Sequence, residues 1–326
     1  MRQILTIGRY FRARFGERVR KIPISLQGFT CPNIDGTKAK GGCSYCKNES
    51  FSPSLQTLKE VSQGVPASNI TMNFALKENP LLHSQISTLK AQFYKQAGHH
   101  KDIYAIKKYI VYFQSFSNTY APFATLKRLY DEALNLPSVV GLSIGTRIDC
   151  VEDEVLDLLG EYVRQGKEIW LEYGVQSTFD ATLRLTNRAH GIDGAKELFA
   201  KTRARGIKVC AHLIYGLPKE SDEMMLKSLD DVLSWGIDGI KIHPLYIVKE
   251  TAMEQMYNAG KYAPITLEKF ADLIVKSLQK IPPNVVIQRI SAGVHDDSLI
   301  APKWCFDKNV QMNFIRAKLL ENGIRY

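Results

Sequence analysis

The chain has 326 residues, is 45% hydrophobic, and carries 43 Lys and Arg against 33 Asp and Glu for a net charge of +10. That length and composition suit a soluble globular protein, either one large α/β domain or one domain with an appendage. No apolar run approaches the roughly eighteen residues of a membrane span, so no membrane partner is expected. The basic balance is compatible with nucleic acid, an anionic surface or acidic metabolites.

Taken in chain order, residues 7–17 read as a short helix ended near Gly16. The segment up to Lys21 is Arg-rich and acid-poor, superficially like a transit peptide. KIPISL at 21–26 nevertheless runs straight into a cysteine loop without a disposable spacer, so the segment reads as mature protein in the cytoplasm. Residues 22–29 read as the first strand, with Pro23 near its start where a missing donor is tolerated. Residues 53–80 are polar without sustained apolar periodicity and read as an insertion or a lid. Strands and helices then alternate: helix 82–97, strand 108–114, helix 122–136, strand 139–145, helix 152–164 and strand 168–175. Helices at 179–186 and 193–205, strand 207–214, helix 223–235 and strand 239–242 complete the series. Six near-continuous apolar strands point to a parallel sheet covered by helices. Right-handed crossovers close it into a barrel or partial barrel, with a wound open sheet as the alternative. The core is thus expected over 1–244, followed by a small α+β extension over 245–326.

Chemistry concentrates in Cys31-x11-Cys43-x2-Cys46. The two-residue gap turns Cys43 and Cys46 toward a common centre, and Gly41-Gly42 lets the backbone fold around it. Three thiols are one short of a closed zinc site or an electron-transfer iron–sulfur cluster. A cubane held by three thiolates leaves one iron open to a small molecule. Zinc with a histidine as fourth ligand is the alternative, although His83, His99 and His100 lie far downstream among ordinary helical neighbours. Cys150, Cys210 and Cys305 are isolated and read as buried free thiols.

The loop, with Tyr45 before its last cysteine, resembles the cluster motif of the radical S-adenosylmethionine (SAM) superfamily. The eleven-residue first gap departs from the usual three. It is similar to the branch of the Elongator catalytic subunit and the YhcC/YtqA-like proteins, whose loop resembles Gly28 to Thr37 here. This resemblance implies a six-stranded partial (β/α)6 barrel, a [4Fe–4S] cluster on Cys31, Cys43 and Cys46, and SAM as cofactor. It also implies an electron donor such as flavodoxin or ferredoxin. Electron transfer from the cluster to SAM then breaks a carbon–sulfur bond, and the resulting 5′-deoxyadenosyl radical abstracts hydrogen from a C–H bond.

Ligands of parallel barrels sit at the C-terminal strand ends, and four such ends here are polar. They carry Gln114-Ser115, Thr146-Arg147-Ile148-Asp149, Glu172 with Gln176, and His212. EYGVQS at 172–177 followed by Asn187-Arg188 resembles a family pattern that gives Gln176 the ribose hydroxyls and Arg188 the methionine carboxylate. By the same resemblance Glu172 faces the cofactor, and HLIYGLP at 212–218 meets adenine through its backbone. Gln114, Ser115 and His212 join the cofactor-binding set. In the porphyrin branch an Asp often stands at the position of His212, so this residue argues for the Elongator-like side. Thr146, Arg147 and Asp149 are candidates on the substrate side, Arg147 and Asp149 equally as ion-pair partners at a loop base.

The Elongator likeness and basic charge favour RNA, in particular a wobble uridine of tRNA. A small-molecule substrate and a zinc-stabilised RNA-binding barrel are the alternatives. Arg2, Arg9, Arg12, Arg14, Arg18, Arg20 and Lys21, interleaved with Tyr10, Phe11 and Phe15, are expected near the rim of the barrel mouth as phosphate contacts. A solvated helix face with inward aromatics is the other reading.

Overall fold

A computed structural model describes residues 1–62 and 70–326. Seven strands form one parallel sheet in sequential order: β1 (Val19–Ile24), β2 (Lys108–Phe113), β3 (Val139–Thr146), β4 (Glu168–Gln176), β5 (Lys208–Tyr215), β6 (Gly239–Pro244) and β7 (Val286–Arg289). The sheet curls until its two edge strands face each other, and Lys21 Nζ of β1 reaches Gln288 Oε1 of β7 at 2.7 Å. The result is a partial barrel. Six of its strands stand where the apolar runs lie, and the seventh comes from the expected C-terminal extension.

Alternation along each strand sorts the two faces. In β4, Ile169, Leu171, Tyr173 and Val175 join the main core beneath the helices. Trp170 and Glu172 point into the lumen, where Trp170 packs with Cys210 and Val286. Cys150, Cys210 and Cys305 are buried free thiols, as expected.

The first strand lies earlier than the sequence reading put it, at Val19–Ile24. Its ladder stops at Ser25 because the Gln92 amide takes over there, accepting from Ser25 N at 3.1 Å and donating to Ser25 O at 2.8 Å. Gln92 belongs to a long helix, Leu82–Tyr104, that covers the edge of the sheet. Gln85 and Gln96 of the same helix donate to Gln27 O and Pro23 O. Side chains at positions i, i+7 and i+11 share one helix face, so three glutamines satisfy the carbonyls an edge strand would otherwise expose. The helix runs past the expected residue 97 to an αL cap at Ala105.

Part of the 53–80 stretch is regular. Pro53–Val61 is a helix with proline at its first turn, tied to the long helix by Glu60–Lys95 at 2.6 Å. Residues 63–69 of the expected insertion lie outside the described residues. Met72 is fully buried, and its N–H bonds Gly28 O at 2.8 Å.

The basic N-terminal helix, Ile7–Phe15, is not at the mouth. It closes the opposite end of the barrel, where the strands begin: Tyr10 donates to Glu168 at 2.7 Å and meets Trp170 edge-on. Burial of those aromatics decides its position, leaving Arg12, Arg14, Arg18 and Arg20 exposed at the floor. The rim expectation is therefore corrected. Arg2–Gln3 pairs with Ile324–Arg325, so both ends of the chain meet at this floor. Among the described residues, no helix is long and apolar enough to cross a membrane.

Candidate active site

The cysteine loop leaves the C-terminal end of β1 and is pinned over the barrel mouth by backbone and amide contacts. Gly41 and Gly42 adopt φ of 82° and 74°, turns that side-chain-bearing residues adopt at a cost. Cys46 N bonds Cys43 O at 2.9 Å, closing the turn between those two thiols. Asn33 donates to Asn187 O at 2.6 Å and Arg188 O at 2.8 Å, and Asn187 returns a bond to Gly42 O at 2.7 Å. Ser44 N reaches Thr186 O at 2.9 Å. The segment 186–188 is thereby stitched to the loop, which brings Arg188 to the cysteines.

Each thiol has an N–H donor beside it. Arg147 Nη1 lies 3.4 Å from Cys31 Sγ, Arg188 Nη1 and Asn33 Nδ2 each 3.6 Å from Cys43 Sγ, and Asn48 Nδ2 3.8 Å from Cys46 Sγ. Such donors and two nearly buried guanidiniums would offset the negative charge of a cluster held by these thiolates and tune its potential. Arg147 is held in turn by a two-pronged pair with Asp149, at 2.8 and 2.9 Å, and Lys38 adds a third bond to that carboxylate at 2.7 Å. Burial opposes charge on Asp149, yet the bonded Arg147 holds its carboxyl well below the usual range. Burial and then Arg188 push His190 down to about 3, so that ring is neutral.

The unpartnered atoms are informative, because buried polar groups are normally satisfied. Arg188 Nε, Asn33 Oδ1, Ser44 Oγ and Tyr45 OH are buried without a partner among the described residues, and all lie in this loop or against it. Gln176, at φ 69°, extends a side-chain amide with no partner among the described residues. Gly174 makes the room: a Cβ there would stand 2.9 Å from both Arg188 Nη2 and Gln176 Nε2. Three thiols without a fourth ligand, beside a guanidinium edge and an amide lacking partners, fit a cluster whose open iron takes an amino-acid-bearing cofactor. Among the described residues no three His, Cys, Asp or Glu side chains gather for a single metal ion, as the zinc alternative would need. Thiols around a cubane stand further apart, since each binds a different iron.

The other candidates fall in separate places. Ser115 is buried in a hydroxyl cluster with Ser25, Ser52 and Ser54, which locks the end of β1 to the segment after the cysteines. Gln114 N bonds Ile24 O at 3.3 Å at the same end. Thr146 is buried and bonded to Thr119 at 2.6 Å. Glu172 and His212 come together at 3.0 Å, deeper in the lumen than the thiols' surroundings. There Glu172 is fully buried and also receives Lys21 at 2.6 Å, Ser143 at 2.5 Å and Lys241. Lys21 had been read as part of the basic N-terminal segment and Lys241 as a residue of an apolar strand. A lysine alternating with isoleucines in a covered strand was the available signal.

The sequence pattern of the Radical SAM superfamily matches residues 36–232, and that of the Radical SAM C-terminal domain matches 237–321. The chain is 36% identical over 312 residues to Protein YhcC of Escherichia coli K12, spanning 96% of this chain and 91% of that one. It is 30% identical over 173 residues to Elongator complex protein 3 of Saccharomyces cerevisiae, 50% of this chain and 30% of that protein. The solved archaeal Elp3 of Methanocaldococcus infernus shares the fold, with a TM-score of 0.56 at 18% identity over 94% of this chain and 64% of that one. The matched patterns, the relatives and the half-barrel agree, and the chain belongs to the radical SAM superfamily as a YhcC-like enzyme working with a [4Fe–4S] cluster and SAM.

Proposed function

We propose that this enzyme acts on tRNA and functionalises a C–H bond of a wobble-uridine side chain. The likeness to Elongator complex protein 3 over half the chain carries the reading, and the net charge of +10 supports it. The proposal includes a cytoplasmic location and a flavodoxin- or ferredoxin-like electron donor.

Cys31, Cys43 and Cys46 hold the cluster, and Arg147, Arg188, Asn33 and Asn48 donate to their sulfurs. When bound and reduced, the cluster supplies the electron that converts SAM into methionine and a hydrogen-abstracting 5′-deoxyadenosyl radical. Arg188 turns its unpartnered Nε edge to the methionine carboxylate, a task suited to a planar fork. Gln176 takes the ribose hydroxyls, and Gly174 keeps both side chains in position. Ser115, Gln114 and Thr146 shape the strand ends around them, while Glu172 and His212 orient what enters the lumen. Phe74 packs edge-on against Tyr120 at 4.8 Å beside the loop and helps to keep water from the mouth.

Arg188→Ala is expected to weaken SAM binding by about 1.5–3 kcal/mol, the range for a hydrogen bond to a charged group. Equilibrium dialysis with the cluster-replete variant measures it. Unchanged affinity would assign the carboxylate to another residue.

The substrate is tested by nucleoside mass spectrometry of tRNA from cells lacking the protein, beside a salt series of tRNA binding. One wobble nucleoside should change, and affinity should fall with salt at a log–log slope of about −0.7 per contacted phosphate in single-stranded regions. An unaltered profile with salt-insensitive binding would move the reading to a small-molecule substrate.

A further inference from the structure

Below the strand ends the lumen carries more positive than negative charge. Sheet register sets His212 beside Lys241, and Lys241 beside Arg289. Side chains paired across neighbouring strands point to the same face and stand about 5 Å apart; a register shift between Ile240 and Lys241 adds Gln288 on β7 and sets Arg289 opposite Lys241, so β5, β6 and β7 contribute one row. Gly174 of β4 is the next position in that row, and it is the position whose missing side chain admits Arg188 and Gln176. The row therefore starts beside the cofactor end of the lumen and runs across the wall from β4 to β7.

Glu172 is the one carboxylate bonded to this group among the described residues, and Lys21, Lys241 and His212 already surround it. Arg289 is half-buried and makes no hydrogen bond or ion pair with any described residue. His243 stacks on His212 with ring centroids 6.2 Å apart, and its buried Nε2 has no partner among the described residues; neither does Nε2 of Gln288. Burial, then the Lys241 and Arg289 charges, push His212 down to about 4, against the pull of Glu172. Burial pushes Lys241 down to about 8, which leaves it mostly protonated at neutral pH. Three cationic side chains thus meet a single carboxylate in a space of low dielectric, and donors are left over.

We propose that this row is an anion subsite, in which Arg289 and Lys241, flanked by His212 and His243, receive a carboxylate carried by the substrate. The proposal rests on the reading that the substrate enters the mouth where SAM binds. A carboxylate fits better than a phosphate for two reasons. Arg289 offers a planar fork to a planar anion, and Glu172 close by opposes a dianion more than a monoanion.

The test uses the full-length, anaerobically reconstituted protein without SAM or RNA, with sodium acetate as probe in a calorimetric titration at constant ionic strength. Acetamide, its neutral isostere, and inorganic phosphate are run in parallel. Acetate is expected to bind saturably and more tightly than phosphate, and acetamide not at all. Arg289→Gln and Lys241→Met should each weaken acetate about tenfold or more, as loss of a charge-assisted hydrogen bond does, with the cluster spectrum and SAM affinity unchanged. The Arg289 side chain has no hydrogen-bond or ion-pair partner among the described residues to lose, so its variant reports on the anion even if Lys241→Met fails to fold. Equal binding of acetamide, tighter binding of phosphate, or undiminished acetate binding by Arg289→Gln would overturn the subsite. The tRNA reading is judged separately by the nucleoside profile. A changed profile without acetate binding removes only the subsite, and acetate binding with an unchanged profile removes only the tRNA reading.

Discussion

Replacing Cys31, Cys43 or Cys46 by Ala is expected to leave a folded protein that retains no stable iron–sulfur cluster. The loop does not depend on the thiols for its shape. Ser44 N to Thr186 O, Asn33 to the carbonyls of Asn187 and Arg188, and Asn187 to Gly42 O hold it to the barrel. If these three thiolates are the protein ligands, as proposed, losing one leaves two, too few to retain a cubane. Iron content and the visible absorption of anaerobically reconstituted protein read the result. Cys150→Ser is the control: that thiol lies outside the cysteine loop, is fully buried, and turns its Sγ to Asp149 Oδ1 at 3.7 Å. The control should keep its full iron content. Stoichiometric zinc without iron in the parent protein would remove the cluster assignment.

The parts of this enzyme that were legible in its sequence are those in which chemistry or burial repeats locally. Apolar runs marked β2 to β6 because both faces of a parallel sheet are covered, and the spacing of Cys31, Cys43 and Cys46 marked the loop proposed to hold the cluster. What escaped depended on pairing between distant segments. Pro23 and the apolar residues around it read as a strand starting at residue 22, but the Gln92 amide ends the ladder at Ser25, and a glutamine on a helix announces nothing of the kind. The aromatic residues of Ile7–Phe15 were visible, yet only the presence of Trp170 and Glu168 at the barrel floor shows why that helix turns away from the mouth. The strand at Val286–Arg289 falls within the expected α+β extension, but its place beside β6 is a matter of topology. Glu172 was singled out by its neighbours in sequence, and its partners Lys21 and Lys241 lie 151 and 69 residues away.

Those partners make Glu172 the second position of large expected effect. Glu172→Gln removes the one negative charge that, among the described residues, is bonded to the Lys21 and Lys241 ammoniums, and leaves the fully buried amide among donors. Breaking a buried ion pair by deleting one partner costs about 3–5 kcal/mol, because the remaining charge stays desolvated. A second ammonium shares the site here, so the upper half of that range is expected, less what Lys21 recovers by turning toward Gln288 and solvent. Burial alone would raise the Glu172 carboxyl, but the charges of Lys21 and Lys241, with the bond from His212, hold it well below the usual carboxylate value. The sign of the pH dependence follows. A carboxyl lowered in the folded state contributes stability that is present above its ordinary pKa of 4.5 and is lost as pH falls through its folded-state value. Denaturant unfolding of the parent should therefore show stability draining away below about pH 4.5, and Glu172→Gln should lose this component of the slope along with the stability at neutral pH. If the variant matches the parent at pH 7 and retains the full acid slope, the two lysines are compensated from elsewhere, and the lumen does not hold the surplus positive charge inferred for it.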